Sequence, residues 1–285
     1  MLHFATHPHL PLAAAIAVAT VLSAPAASAA PIELIDINSV VGNTIAGIDD
    51  LITGTPLQIT VNDLFRTEGL TFGERFAGQA LGTVPVTSPL FPGSTTSDHD
   101  TLSGTPTSML TLLSGNPSEN ISITRALSSG GGGNYRISGN APIQNGLTLR
   151  GEGALSLLFD DDQSQLGFSV TGAGGISNRQ PVPSGPVTAQ FFRRDGSLID
   201  SLELALGSVS SISHFGFLRE GGLVDIAGVS LTNIDAFGVS YDDFIYSYTA
   251  IETAVPEPSS LLVMTAALLG FSSIARRRSA TSRRK

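Results

Sequence analysis

The chain has 285 residues, a formal net charge of −9, no cysteine, no tryptophan and one lysine, Lys285. The absence of cysteine excludes disulfides and thiolate metal sites. Between Ala30 and Val255, 23 acidic residues face 9 arginines, a net charge of −14, which repels nucleic acid and other polyanions at low salt.

In chain order, the first segment predicts export. Leu10 to Leu22 is apolar, Pro25 breaks the helix, and Ala27-Ser28-Ala29 has the small-residue spacing that a signal peptidase pocket accepts. Residues 1–29 read as a signal peptide, although "MLHFATHPH" carries histidines in place of lysine or arginine.

From Ala30 onward the pattern is β. "QITVNDLF", "GLTFG", "GLTLRGEGALSLLF", "QLGFSVTG", "VTAQFFRRDGSLIDSLEL", "HFGFLR", "VDIAGVSLTNI" and "FGVSYDDFIYSYTAI" alternate apolar with polar residues between Gly, Pro, Asn and Asp. Arg194-Asp195-Gly196-Ser197 predicts a tight hairpin. Strands at this spacing predict an all-β, antiparallel sandwich over residues 30–254. Leu81 to Ser108, rich in Pro, Ser, Thr and Gly with little alternation, and Ser128 to Gly146, flexible around Gly130 to Gly133, are expected to be long loops, with a domain linker as the alternative for either; Tyr135, after the glycine run, is expected at a loop surface.

Candidate chemistry is sparse. Asp98-His99-Asp100 offers two carboxylates and an imidazole to a metal, but its setting favours a solvated loop. His214 in "SISHFGF" reads as a packed or edge histidine. Asp160-Asp161-Asp162 is placed at a turn. Asp242 and Asp243 lie in the last strand, where consecutive side chains face opposite sides, so one should point inward. An inward carboxylate needs a hydrogen bond, an ion pair or a cation. Calcium, held by Asp242 and Asp243, is the possible cofactor, with a structural aspartate as the alternative and Arg66, Arg125 and Arg219 as competing partners.

The tail has three parts. Val255-Pro256-Glu257-Pro258 cannot be helical throughout, Ser259 to Ala275 is uncharged and apolar, and Arg276-Arg277-Arg278 follows directly. Seventeen uncharged residues, rich in Leu, Ala, Val and Ile, sit at the lower limit for spanning a bilayer, and the basic cluster predicts a cytoplasmic C-terminus.

This order of parts, paired with a signal peptide, resembles the PEP-CTERM sorting signal of bacteria that make extracellular polysaccharide. The resemblance covers residues 255–285. It implies transient anchoring by the apolar helix 259–275 and processing near Pro256-Glu257-Pro258 by an exosortase-type membrane protease. The order of strands from Leu64 to Tyr248 also resembles jelly-roll sandwich domains, including carbohydrate-binding ones. Together these lead to an expected noncatalytic, exported surface or matrix protein associated with extracellular polysaccharide. A secreted polysaccharide-acting enzyme or a calcium-dependent carbohydrate-binding module is the alternative.

Overall fold

The computed structural model describes residues 31–46, 48, 56–87, 97–127, 133–144, 147–172, 185–207 and 212–247. The expected signal segment and the tail, including Val255, Pro256, Glu257, Pro258, Arg276, Arg277 and Arg278, lie outside the described residues. Among the described residues no helix is long and apolar enough to cross a membrane.

The strands form two principal antiparallel sheets. The larger contains β1 (Ile32–Ile35), β2 (Thr44–Ala46), β3 (Gln58–Val61), β10 (Ile121–Leu127), β11 (Gly133–Gln144), β12 (Leu147–Gly153), β14 (Gln165–Gly172), β17 (Ile212–Arg219) and β19 (Val239–Tyr246). The six-stranded sheet contains β4 (Phe65–Thr67), β5 (Leu70–Gly73), β13 (Leu155–Gln163), β15 (Val187–Phe192), β16 (Leu198–Leu204) and β18 (Ile226–Asn233). Two short ribbons complete the fold, β6 (Arg75–Phe76) with β9 (Leu112–Leu113) and β7 (Ala80–Val86) with β8 (Ser97–Ser103).

The sheets pack face to face because alternate residues of each strand are apolar. One core runs from Ile32 to Tyr246 and draws side chains from both sheets. Aromatic pairs tie the layers together: Phe72 lies 5.1 Å from Phe244, and Phe191 lies 5.0 Å from Phe217. Such contacts add about 0.5–1.5 kcal/mol each beyond area burial. The next residue along β15, Phe192, faces the other side and joins a smaller core with Phe76, Leu110, Leu112 and Ala227. The β6–β9 ribbon thus covers the back of the six-stranded sheet around Phe192 and Ala227, and β15 is buried on both faces at Phe191–Phe192.

The β15–β16 hairpin turns at Arg194-Asp195-Gly196-Ser197 as the Asp-Gly signal predicts. Gly196 takes φ +80°, Asp195 accepts the Ser197 N–H at 2.9 Å, and Arg193 N–H donates to Ser197 O at 2.9 Å.

Both expected long loops are corrected. Leu81 to Ser108 contains most of the β7–β8 ribbon, paired in register from Ala80↔Ser103 to Val86↔Ser97. Pro85 is tolerated because β7 has no second strand partner to receive an N–H. Ser128 to Gly146 contains β11, paired with β10 from Ile121↔Gly139 to Leu127↔Gly133. Tyr135 is correspondingly buried in the main core, with its hydroxyl donating to Pro56 O at 3.1 Å.

Candidate functional site

The last strand departs from simple alternation where its carboxylates lie. Gly167 pairs with Ile245 and Ser169 with Asp242, so one residue of β14 faces two of β19, a β-bulge. The bulge lets Tyr241 and Phe244, three residues apart, both enter the core. Asp243 adopts φ +51°, a left-handed conformation that aspartate tolerates better than most side chains. Asp242 is buried and its Oδ1 accepts the Asp243 N–H at 2.9 Å. Asp243 is exposed and its Oδ2 accepts the Ser169 hydroxyl at 3.2 Å.

His214 completes this arrangement, with Nδ1 2.8 Å from Ser169 Oγ. Ser169 Oγ is thus placed between the imidazole of His214 and the carboxylate of Asp243. These three side chains line a groove of about 300 Å³ whose walls are the apolar Ile37, Ile45 and Ile245.

The arginines named as competitors for Asp242 and Asp243 go elsewhere. Arg66 pairs with Asp160, and the fully buried Arg219 pairs with Asp225 at 2.7 Å. Arg125 makes no ion pair among the described residues. The acidic triplet is not at a turn: Asp160, Asp161 and Asp162 are within β13, where Asp162 accepts from Arg194 at 2.6 Å. Among the described residues no group of three or more His, Asp or Glu gathers as a metal site would require.

The expected solvated loop at Asp98-His99-Asp100 is instead the buried centre of β8. This strand lies against β11, β12 and β18, where the chain crosses from one sheet to the other at Gly153–Ala154. His99 and Asp100 are both fully buried. His99 Nδ1 donates to Asn233 O at 3.2 Å, and Nε2 sits 3.2 Å from Ser97 Oγ and 3.7 Å from Glu152 Oε2. Asp100 Oδ2 accepts the Ala154 N–H at 3.0 Å, while its Oδ1, like Glu152 Oε2, has no hydrogen-bond partner among the described residues.

Burial dominates the electrostatics of this seam. Desolvation raises Asp100 to about 6 and Glu152 to about 7, and lowers His99 below the usual imidazole range. Removal of charge from water thus favours the neutral form of all three. Glu152 is the member that residue patterning missed; "RGEG", a carboxylate between two glycines, is the local signal that the backbone comes close there. Gly151 takes φ +77°, and a Cβ on it would meet the Val239 backbone at 2.6 Å.

From Asn233 the network continues outward. Asn233 Nδ2 donates to Gly151 O at 2.7 Å, and its Oδ1 accepts the Asp235 N–H at 3.2 Å. Asp235 Oδ1 accepts the Phe237 N–H at 2.9 Å, and Gly238 N–H donates to Asp235 O at 2.9 Å. These bonds fix the β18–β19 turn against β12.

Comparison with known proteins bears on the tail more than on the sandwich. Residues 254–279 match the PEP-CTERM protein-sorting motif. No curated protein matches the chain. Among solved structures, the enzymatically active domain of tailspike protein 4 of bacteriophage CBA120 aligns with 62% of this chain and 20% of its own length, at 10% identity and a TM-score of 0.29. The chain therefore spans about a fifth of that protein, and a likeness this slight carries no argument. The matched motif, with the proline, glutamate and arginine positions described above, identifies the chain as an exported protein bearing a PEP-CTERM signal for exosortase-dependent sorting.

Proposed function

We propose that the protein is a noncatalytic surface or matrix component, released or attached at the cell envelope after exosortase processing and associated with extracellular polysaccharide. The observation that carries this reading is the sorting motif at residues 254–279. It addresses the sandwich to the envelope, where polysaccharide is the abundant polymer implied by the resemblance.

The noncatalytic part draws on the Ser169 groove. Acyl transfer by serine needs an imidazole that takes the hydroxyl proton and a carboxylate that orients the imidazole. Here the carboxylate of Asp243 accepts from the serine hydroxyl, and His214 Nδ1 lies 2.8 Å from the same Oγ, so the order is His–Ser–Asp. Such an order puts the carboxylate on the serine, where it does not orient the imidazole.

The test is localisation in the producing cells. Replacing Glu257 or the Arg276 to Arg278 cluster should leave the protein trapped in the membrane or mislocalised. The unaltered protein should cofractionate with extracellular polysaccharide. Normal surface delivery of both variants overturns the sorting assignment, and a wild-type protein recovered free of polysaccharide overturns the association.

A further inference from the structure

We infer that the outer face of the nine-stranded sheet carries a binding groove for an acidic sugar residue of the uronate class, held between Phe237 and Arg150. This deepens the polysaccharide association above and rests on it for the source of the ligand. The groove's own chemistry is independent of that reading.

The groove has a volume of about 320 Å³, at the small end of ligand sites. Thr124, Ser138 and Ser240 supply hydroxyls, Arg150 a guanidinium and Phe237 a ring. Ile123, Ile137 and Tyr241 point into the core, so their neighbours Thr124, Ser138 and Ser240 face outward.

Phe237 is distinctive. Among the described residues it is the one phenylalanine that belongs to neither hydrophobic core and packs against neither. It is half-buried, in the turn anchored by Asn233 and Asp235. Gly238 has φ +75°, and a Cβ there would lie 2.5 Å from Arg150 O. Gly151 is equally crowded from the opposite side. Backbone thus meets backbone directly, and the turn that carries the ring is held in place before any ligand arrives, which lowers the cost of binding.

Arg150, like Arg125 and Arg136, stands apart from the paired arginines. Arg66, Arg75, Arg193, Arg194 and Arg219 each pair with a carboxylate. Arg150 is exposed and in no ion pair among the described residues, despite a domain charge of −14. Arg136 stands directly across from Thr124 and two residues before Ser138, so it presents a second cation on the same face.

The ligand class follows from these groups. A pyranose ring has an apolar C–H face that lies on an aromatic ring, and hydroxyls that bond to serine and threonine. A guanidinium pairs with a planar carboxylate through two parallel hydrogen bonds. A uronate residue carries all three features. The surrounding negative charge does not forbid it, since repulsion beyond about 8 Å is screened at physiological ionic strength while contact pairs persist.

Calorimetric titration of the secreted protein with a galacturonic acid trisaccharide, and with its neutral galactose counterpart, tests the assignment. The uronate should bind, and the neutral sugar at least tenfold more weakly. Arg150→Gln should reduce uronate affinity at least tenfold, to the neutral level. Phe237→Ala should weaken both about tenfold, and Phe237→Tyr should restore binding. Melting temperatures check folding; Arg150 is exposed, so its variant reports even if Phe237→Ala is unstable. Absence of binding to either sugar, equal affinity for both, or unchanged affinity in Arg150→Gln overturns the groove. Uronate binding lost in Arg150→Gln, in a protein that does not cofractionate with polysaccharide, sustains the groove and refutes the association. Cofractionation without titratable binding does the reverse.

Discussion

Glu152→Gln should make the protein more stable, by an amount that grows as pH rises from about 4.5 to about 7 and is full above that. The residue is 8% exposed, and burial raises its pKa from 4.5 to about 7. Unfolded, it releases its proton near pH 4.5; folded, it keeps the proton until about 7. Between these values the folded state binds more protons, so stability falls as pH rises. Each pH unit across the interval costs about 1.4 kcal/mol, and the whole interval about 3 kcal/mol. Glutamine has the same shape and no proton to lose. The variant should therefore match the wild type near pH 4 and exceed it by about 3 kcal/mol at pH 8, or roughly 6–12 °C in Tm. Asp100, raised to about 6 by burial, acts in the same direction and is common to both proteins. His99 acts oppositely: burial keeps it neutral, so stability it contributes at higher pH is lost as pH falls below its usual 6.5. Thermal melts of both proteins from pH 4 to 8.5 isolate Glu152 as the difference between two curves. A difference that is constant with pH, or a variant less stable at pH 8, refutes the reasoning.

Removing Asp225 should be costly, because Arg219 is 1% exposed and would lose the carboxylate it donates to at 2.7 Å. Asp225→Ala should lose about 3–5 kcal/mol in urea unfolding, whereas Arg193→Ala, which removes the more exposed partner, should lose under about 1 kcal/mol. Calcium at Asp242 and Asp243 is tested by melts with the ion and with chelator. The two carboxylates already accept from Asp243 N–H and Ser169, so coincident curves are expected from a structural pair. A calcium-dependent rise of about 2.7 kcal/mol at a hundredfold excess over Kd, lost in Asp243→Ala, would restore the ion. Intact-mass analysis of secreted protein should give a chain beginning at Ala30; a retained Met1 would refute cleavage after Ala27-Ser28-Ala29.

The β character and most of the core were legible because alternation is a local signal. "QLGFSVTG" buries Leu166, Phe168 and Val170 on one face, as period two requires. The Asp-Gly turn was legible for the same reason, since the conformation it needs is set by the dipeptide itself. The β7–β8 ribbon was not. Its residues are polar, its partner strand lies across a Pro- and Ser-rich segment, and its burial comes from remote elements: His99 meets Asn233, 134 residues away, and Asp100 meets Ala154, 54 away. Nothing within seven residues of "SDHD" distinguishes a buried carboxylate from a solvated one. The bulge at Asp243 was hidden differently, since a single inserted residue changes which side chains face inward without changing composition.

The buried seam and the outer groove are one construction. Burying His99, Asp100 and Glu152 carries an energetic cost that an apolar core strand would avoid. What the polar groups provide is direction. His99 fixes the carbonyl of Asn233, Asn233 holds Gly151 and the N–H of Asp235, and Asp235 holds the N–H of Phe237. Leucine or valine at these positions would fill the space with non-directional contacts and leave the turn free to shift across β12. Hydrogen bonds in series, each anchored in the gap between the sheets, bring a ring and an arginine to the surface in a set geometry. The cost is concentrated in β8 because that strand lies against β11 and β12 of one sheet and β18 of the other.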